Sequence, residues 1–118
     1  MTASPANEDP DALGAVQRLL QLGEVAKALE TLNSLADSAQ SSVMGQYMRG
    51  VCFRLMRDFA NSESALRQLV EGNPSYGRAF QELGHLYRDA NMPTEALNAY
   101  ATACHLNPGL KASWAAQR

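Results

Sequence analysis

Residues 77–110, GRAFQELGHLYRDANMPTEALNAYATACHLNPGL, contain two apolar stripes in tandem. Ala79, Phe80, Leu83, Leu86, Tyr87 and Ala90 recur at steps of three and four, and so do Ala96, Leu97, Tyr100, Ala103 and Cys104. That spacing puts each set on one face of a helix. Asn91-Met92-Pro93 between them stops one helix and suits the start of another, because proline lacks an N–H but is tolerated in a first turn. The segment predicts a helical hairpin. A hairpin of this kind cannot bury its apolar faces alone, whereas stacked copies build a shared core.

The pattern returns at a step of 34 residues. One shift places Gly50 under Gly84, Phe53 under Tyr87, Ser62 under Ala96, Leu66 under Tyr100, Leu69 under Ala103 and Pro74 under Pro108. A second brings Val25 under Phe59, Ala28 under Ser62, Leu32 under Leu66 and Leu35 under Leu69, and a forward step sets Trp114 under Phe80. Ala28, Ser62 and Ala96 are small where the two helices of a hairpin would cross, and Gly50 and Gly84 permit a similarly close approach. Phe53 and Tyr87 are large enough to fill the space between hairpins. Leucine and alanine dominate the apolar residues, valine is scarce and isoleucine absent, which favours helix over sheet. The expected helices are residues 11–22, 24–37, 41–56, 59–71, 75–90 and 93–105, with a seventh running from about 107 to 118. Gly23, Arg57-Asp58 and Gly72-Asn73-Pro74 separate them, Asp58 and Asn61 are expected N-terminal caps, and residues 1–10 are expected to form a loose tail.

Phe80, Leu83, Gly84, Tyr87, Ala96, Tyr100, Ala103 and Pro108 fall on the eight positions that define the tetratricopeptide repeat, and the chain resembles that family over about residues 9–118. The resemblance implies an all-α fold, a right-handed superhelical α-solenoid of antiparallel hairpins. Its repeats would be about residues 9–42, 43–76 and 77–110, with 111–118 opening a further repeat or forming a capping helix through Trp114. The middle repeat departs at Gln46 and Arg49, where the family carries tryptophan or another large residue and leucine. The first keeps the pattern only in its second helix, with Ala12 and Val16 in place of a large residue and glycine, as a terminal copy would. More finely, NPSYGRAFQELGHLYRDA followed by ALNAY, LNPGL and ASW is similar to the repeats that precede the catalytic domain of bacterial sulfotransferases containing tetratricopeptide repeats. That likeness implies an alternative, the accessory region of a longer sulfotransferase.

The family resemblance implies a concave groove that holds a peptide or partner protein and is lined by the first helix of each hairpin. Carried over by position, its residues are Met44, Tyr47, Met48, Val51, Arg54 and Leu55 from the middle repeat. The last repeat gives Arg78, Gln81, Glu82, His85, Arg88 and Asp89, and the first gives Leu13, Gln17, Leu20 and Gln21. Methionine and tyrosine suit adaptable recognition of an apolar side chain or amphipathic helix. Arg54 and Arg88 stand one repeat apart and, with Arg78, are expected to clamp a carboxylate. The alternatives are self-association through the apolar groove or the C-terminal helix, and filling of the groove by the N-terminal tail. The clamp by which some members hold chaperone tails needs Lys, Arg and Asn at positions taken here by Leu13, Gln17 and Met48. Only Arg78 matches, so a co-chaperone is not expected.

Other classes find little support. A formal net charge of −2 provides no field for nucleic acid or an acidic membrane. The first residues have neither a basic start nor an apolar run, and nothing approaches the ~20 apolar residues of a membrane span, so a cytoplasmic location is expected. Cys52 and Cys104 both fall on apolar helix faces and read as reduced, buried thiols. His85 and His105 lack partners at metal-ligand spacing, and Glu82 and Asp89, two turns apart, read as solvated charges. There is no glycine-rich phosphate loop and no Gly-x-Ser-x-Gly elbow. No catalytic residue, cofactor or metal is expected in this chain.

Overall fold

A computed structural model describes residues 12–110, and within them every element is helical. Helix α1 spans Ala12–Gln21, α2 Val25–Asn33, α3 Asp37–Gln40, α4 Val43–Leu55, α5 Phe59–Gly72, α6 Gly77–Asp89 and α7 Pro93–Leu106, followed by a 3₁₀ turn at Pro108–Leu110. No helix among the described residues is long and apolar enough to cross a membrane. Helices α1 with α2, α4 with α5, and α6 with α7 pair as three hairpins.

The turns inside these hairpins repeat in atomic detail. Gly23, Arg57 and Asn91 take φ of 81°, 65° and 63°. Each stands just past the end of a first helix, where a left-handed residue lets the chain fold back over the last carbonyls. The N–H groups of Glu24, Asp58 and Met92 then donate to the carbonyls of Leu19, Phe53 and Tyr87 at 2.9, 2.9 and 2.7 Å. Those of Gly23, Arg57 and Asn91 donate to Leu20, Arg54 and Arg88 at 3.1, 2.9 and 3.0 Å. All three are Schellman motifs at intervals of 34 residues. Asp58 caps α5 as the sequence predicts, accepting from the Asn61 N–H at 3.3 Å.

The crossings repeat as well. A Cβ placed on Gly50 would lie 2.6 Å from Leu66, and one on Gly84 would lie 2.6 Å from Tyr100. Across from them Ser62 and Ala96 are buried, and the Ser62 hydroxyl donates to the Gly50 carbonyl at 2.7 Å. Two apolar clusters result. One gathers Val16, Ala28, Leu32, Leu35, Met48 and Cys52, the other Leu66, Leu83, Leu86, Tyr87, Ala99 and Tyr100 with Ala96.

Three sequence expectations need correction. Residues 24–37 do not form one helix: α2 ends at Asn33, four residues early, and a separate turn, α3, follows. Asn33 and Ser34 compete with the helix for hydrogen bonds, Ser34 Oγ donating back to the Thr31 carbonyl at 2.7 Å. The next hairpin stays helical to Gly72 before its proline; here Gln40 stands in the place of Pro74 and its Nε2 donates to the Leu35 and Asn33 carbonyls at 2.7 and 3.1 Å. Gly45 then lets the α3 backbone lie on α4, for a Cβ there would meet the Ala39 carbonyl at 2.2 Å. The expected seventh helix is, at its described start, only the 3₁₀ turn Pro108–Leu110; the remainder, Trp114 included, lies outside the described residues. Cys52 is fully buried, while Cys104 is half-buried rather than buried.

Candidate functional site

Helices α1, α4 and α6 lie side by side and leave a groove of about 350 Å³. Gln17, Leu20 and Gln21 come from α1, Met44, Tyr47, Met48, Val51, Arg54 and Leu55 from α4, and Arg78, Glu82 and His85 from α6. Their spacing explains the grouping, since residues three and four apart share a helix face. Nine of the twelve candidates drawn from the second and third repeats line this groove. Gln81 is buried outside it, and Arg88 and Asp89 lie beyond its end. Of the first-repeat candidates only Leu13 is left out; it packs against the first apolar cluster.

The groove has an apolar half and an ionic half. Toward α1 the surface is Leu20, Met44, Val51 and Leu55, with Met48 as a floor only 4% exposed. Toward α6 the positions one repeat on from Leu20, Met48 and Leu55 are Arg54, Glu82 and Asp89, and these three are joined. Arg54 Nε donates to Glu82 Oε2, and its Nη1 reaches Asp89 Oδ2 at 2.8 Å. Arg88 binds the other oxygen of Asp89 at 3.0 Å. The carboxylates expected to be solvated are therefore structural, and the arginines expected to clamp a ligand already hold Asp89 between them. Burial pushes the Glu82 carboxyl above its ordinary pKa, with Arg54 pulling the other way. Burial acts upward on Asp89 too, but Arg54 and Arg88 outweigh it and hold Asp89 below its usual range. Arg54 is raised, because the two carboxylates outweigh its own desolvation.

Arg78 differs from these arginines. It is exposed, ion-pairs with no carboxylate among the described residues, and lies with its guanidinium carbon 5.3 Å from the centre of the Tyr47 ring. Tyr76 meets the same ring edge-on at 6.1 Å. Tyr47 is pushed above its ordinary pKa by burial and then by the charge of Glu82, against the pull of Arg78. His85 Nδ1 lies 2.7 Å from the Tyr100 hydroxyl. The groove thus carries Arg78 at its rim beside an aromatic ring, over an apolar floor.

A second polar network ties α5 to α6 away from the groove. Arg67 Nη2 donates to the Tyr87 hydroxyl at 2.6 Å, Tyr87 donates to Glu63 Oε2 at 2.7 Å, and Arg67 Nε reaches that same oxygen at 3.0 Å. The hydroxyl bond from Tyr87 lowers the Glu63 pKa, while burial and Glu63 together push Tyr87 up to about 12. Reading Tyr87 as a space-filling residue missed this pair; Glu63 and Arg67, four apart on a helix, were the available signal. Among the described residues no group of three His, Cys, Asp or Glu side chains could hold a metal ion. No family model matches the chain, and neither a curated protein nor a solved structure matches it.

Proposed function

We propose that this chain is a non-catalytic tetratricopeptide-repeat module whose groove holds a partner peptide with an apolar anchor and an acidic group. The superhelical stack is supported by the three Schellman turns at 34-residue intervals and by the matched approaches of Gly50 to Leu66 and Gly84 to Tyr100. One observation carries the ligand reading. Arg78 lies over Tyr47 at the edge of an apolar groove, without a carboxylate partner among the described residues, whereas Arg54 and Arg88 are both paired. Of the charged residues lining the groove, Arg54 and Arg78 outnumber Glu82, so an acidic partner is favoured although the whole chain is slightly acidic. An apolar side chain would sit between Leu20, Met44 and Val51, and its neighbouring carboxylate would meet Arg78.

Fluorescence anisotropy with helical peptides that pair leucine or phenylalanine with glutamate tests this. Arg78→Ala should weaken binding about 5–10-fold, the scale of about 1 kcal/mol for the net worth of one hydrogen bond at an exposed side chain, and flatten its salt dependence. Val51→Asp should abolish binding without unfolding the chain, because Val51 is only half-buried. Met48→Asp is unsuitable, since it would place a charge in the core. Binding that survives both Arg78→Ala and Val51→Asp would rule this groove out.

A further inference from the structure

Two clefts occupy matching places in successive hairpins and differ in their floors. In the third hairpin, a cleft of about 230 Å³ is floored by Phe80 and Leu83, with Ala99 and Thr102 on α7. One repeat earlier the same four positions are Gln46, Arg49, Ala65 and Gln68, and the cleft grows to about 430 Å³. The two departures from the repeat pattern are therefore the two residues of this floor. The early end of α2 widens it, and Asp37, Gln40 and Ser41 on the inserted turn form its far wall. It shares no residue with the groove described above.

Arg49 is the unusual member. It is half-buried, yet its hydrogen-bond partners are neutral: Nη1 donates to Asn33 Oδ1 and Nη2 to Gln40 Oε1 at 2.9 Å. No carboxylate among the described residues lies within ion-pair distance, in contrast to Arg54, Arg67 and Arg88. Cations withdrawn from water are normally paired. The two amide oxygens fix the plane of the guanidinium while leaving its charge uncancelled, and its remaining N–H groups are available to a ligand. Gln40 is itself anchored through Nε2 to two backbone carbonyls, so Arg49 is held by a braced partner.

We propose that this cleft binds a small monoanionic carboxylate bearing amide or hydroxyl groups, its carboxylate on Arg49 and its polar groups on Gln46 and Gln68. A planar guanidinium matches a planar carboxylate with two parallel bonds. Asp37 on the wall does not pair with Arg49 but adds a negative charge to the cleft, so a dianion such as phosphate is disfavoured and a single negative charge is admitted. Gln46 donates through Nε2 to the Ser41 carbonyl at 2.6 Å, which leaves its own carbonyl oxygen to accept from a ligand amide. The volume lies within the range of small-ligand pockets.

The test is an NMR titration of the whole chain with N-acetylglycine and, separately, with inorganic phosphate. Saturable shifts confined to residues 37–49 and 65–68 are expected with N-acetylglycine, and weaker ones with phosphate. Arg49→Leu, which restores the third hairpin's side chain, should weaken N-acetylglycine at least tenfold. Arg49→Gln serves if that variant does not fold, and Lys27→Ala controls for overall charge. Absence of saturation, equal affinity in the Arg49 variants, or tighter binding of phosphate would each overturn the proposal.

Discussion

Arg57 occupies a place where its neighbours in the repeat use residues better suited to it. Gly23 and Asn91 meet the left-handed conformation with no Cβ or with a short polar side chain, but Arg57 bears its cost, about 1–2 kcal/mol for an ordinary residue. Its guanidinium carbon lies 4.8 Å from the centre of the Phe59 ring, a contact of about 0.5 kcal/mol at an exposed site. Arg57→Gly should therefore stabilise the chain by roughly 1 kcal/mol in urea denaturation, and more than Asn91→Gly does. A destabilised Arg57→Gly would mean that the Phe59 contact outweighs backbone strain. Tyr87 gives a pH signature. Its folded pKa, about 12, lies above the ordinary 10, so its share of stability is complete below pH 10 and is lost as pH rises through 12. Tyr87→Phe should flatten stability across that alkaline window. Cys52, pushed up to about 11 by burial, should resist thiol reagents in the folded chain, while half-exposed Cys104 reacts.

At the scale of the element, helix boundaries were legible from sequence to within two residues, the end of α2 excepted. Pro93 and the Asp58 cap announce α7 and α5, and the apolar period locates α4 and α6 within two residues of their ends. The early end of α2 was not legible. Leu32 and Leu35 keep the period across it and both are buried, so the stripe continues after the helix has stopped. What ends it is a side chain seven residues ahead, Gln40, whose bonds to the Asn33 and Leu35 carbonyls substitute for a helical turn. The groove was legible as a face, because helical spacing fixes which residues point together. Its electrostatics were not, because Arg54 meets Glu82 and Asp89 only across the space between hairpins. Gln40→Ala should cost about 1–2 kcal/mol by stranding those carbonyls and the Arg49 guanidinium. Faster hydrogen exchange in α3 and at the start of α4 is the accompanying sign.

Across the whole molecule, the two seams between hairpins differ in chemistry. Between the second and third, the Arg54, Glu82 and Asp89 network on one side and the Tyr87, Glu63 and Arg67 network on the other hold α6 in register. Between the first and second, the matching positions are Leu20, Met48 and Leu55 on one side and Phe53, Leu29 and Asn33 on the other. Arg54→Met should destabilise by about 3–5 kcal/mol, because it leaves Glu82 charged in a buried site. Adding Glu82→Met should return much of that loss, and a double variant no more stable than Arg54→Met would show that packing rather than charge was removed. The two apolar clusters follow these seams, one for the α1–α2 end and one for the α6–α7 end. Clusters joined by a single helix pair need not melt together, and native-state hydrogen exchange should resolve two cooperative units. The α1–α2 unit is expected to open at the lower free energy. An occupant of the groove touches α1 and α6 at once, so it would act as a clasp on the looser unit. Its affinity and the protection of α1 would rise and fall together.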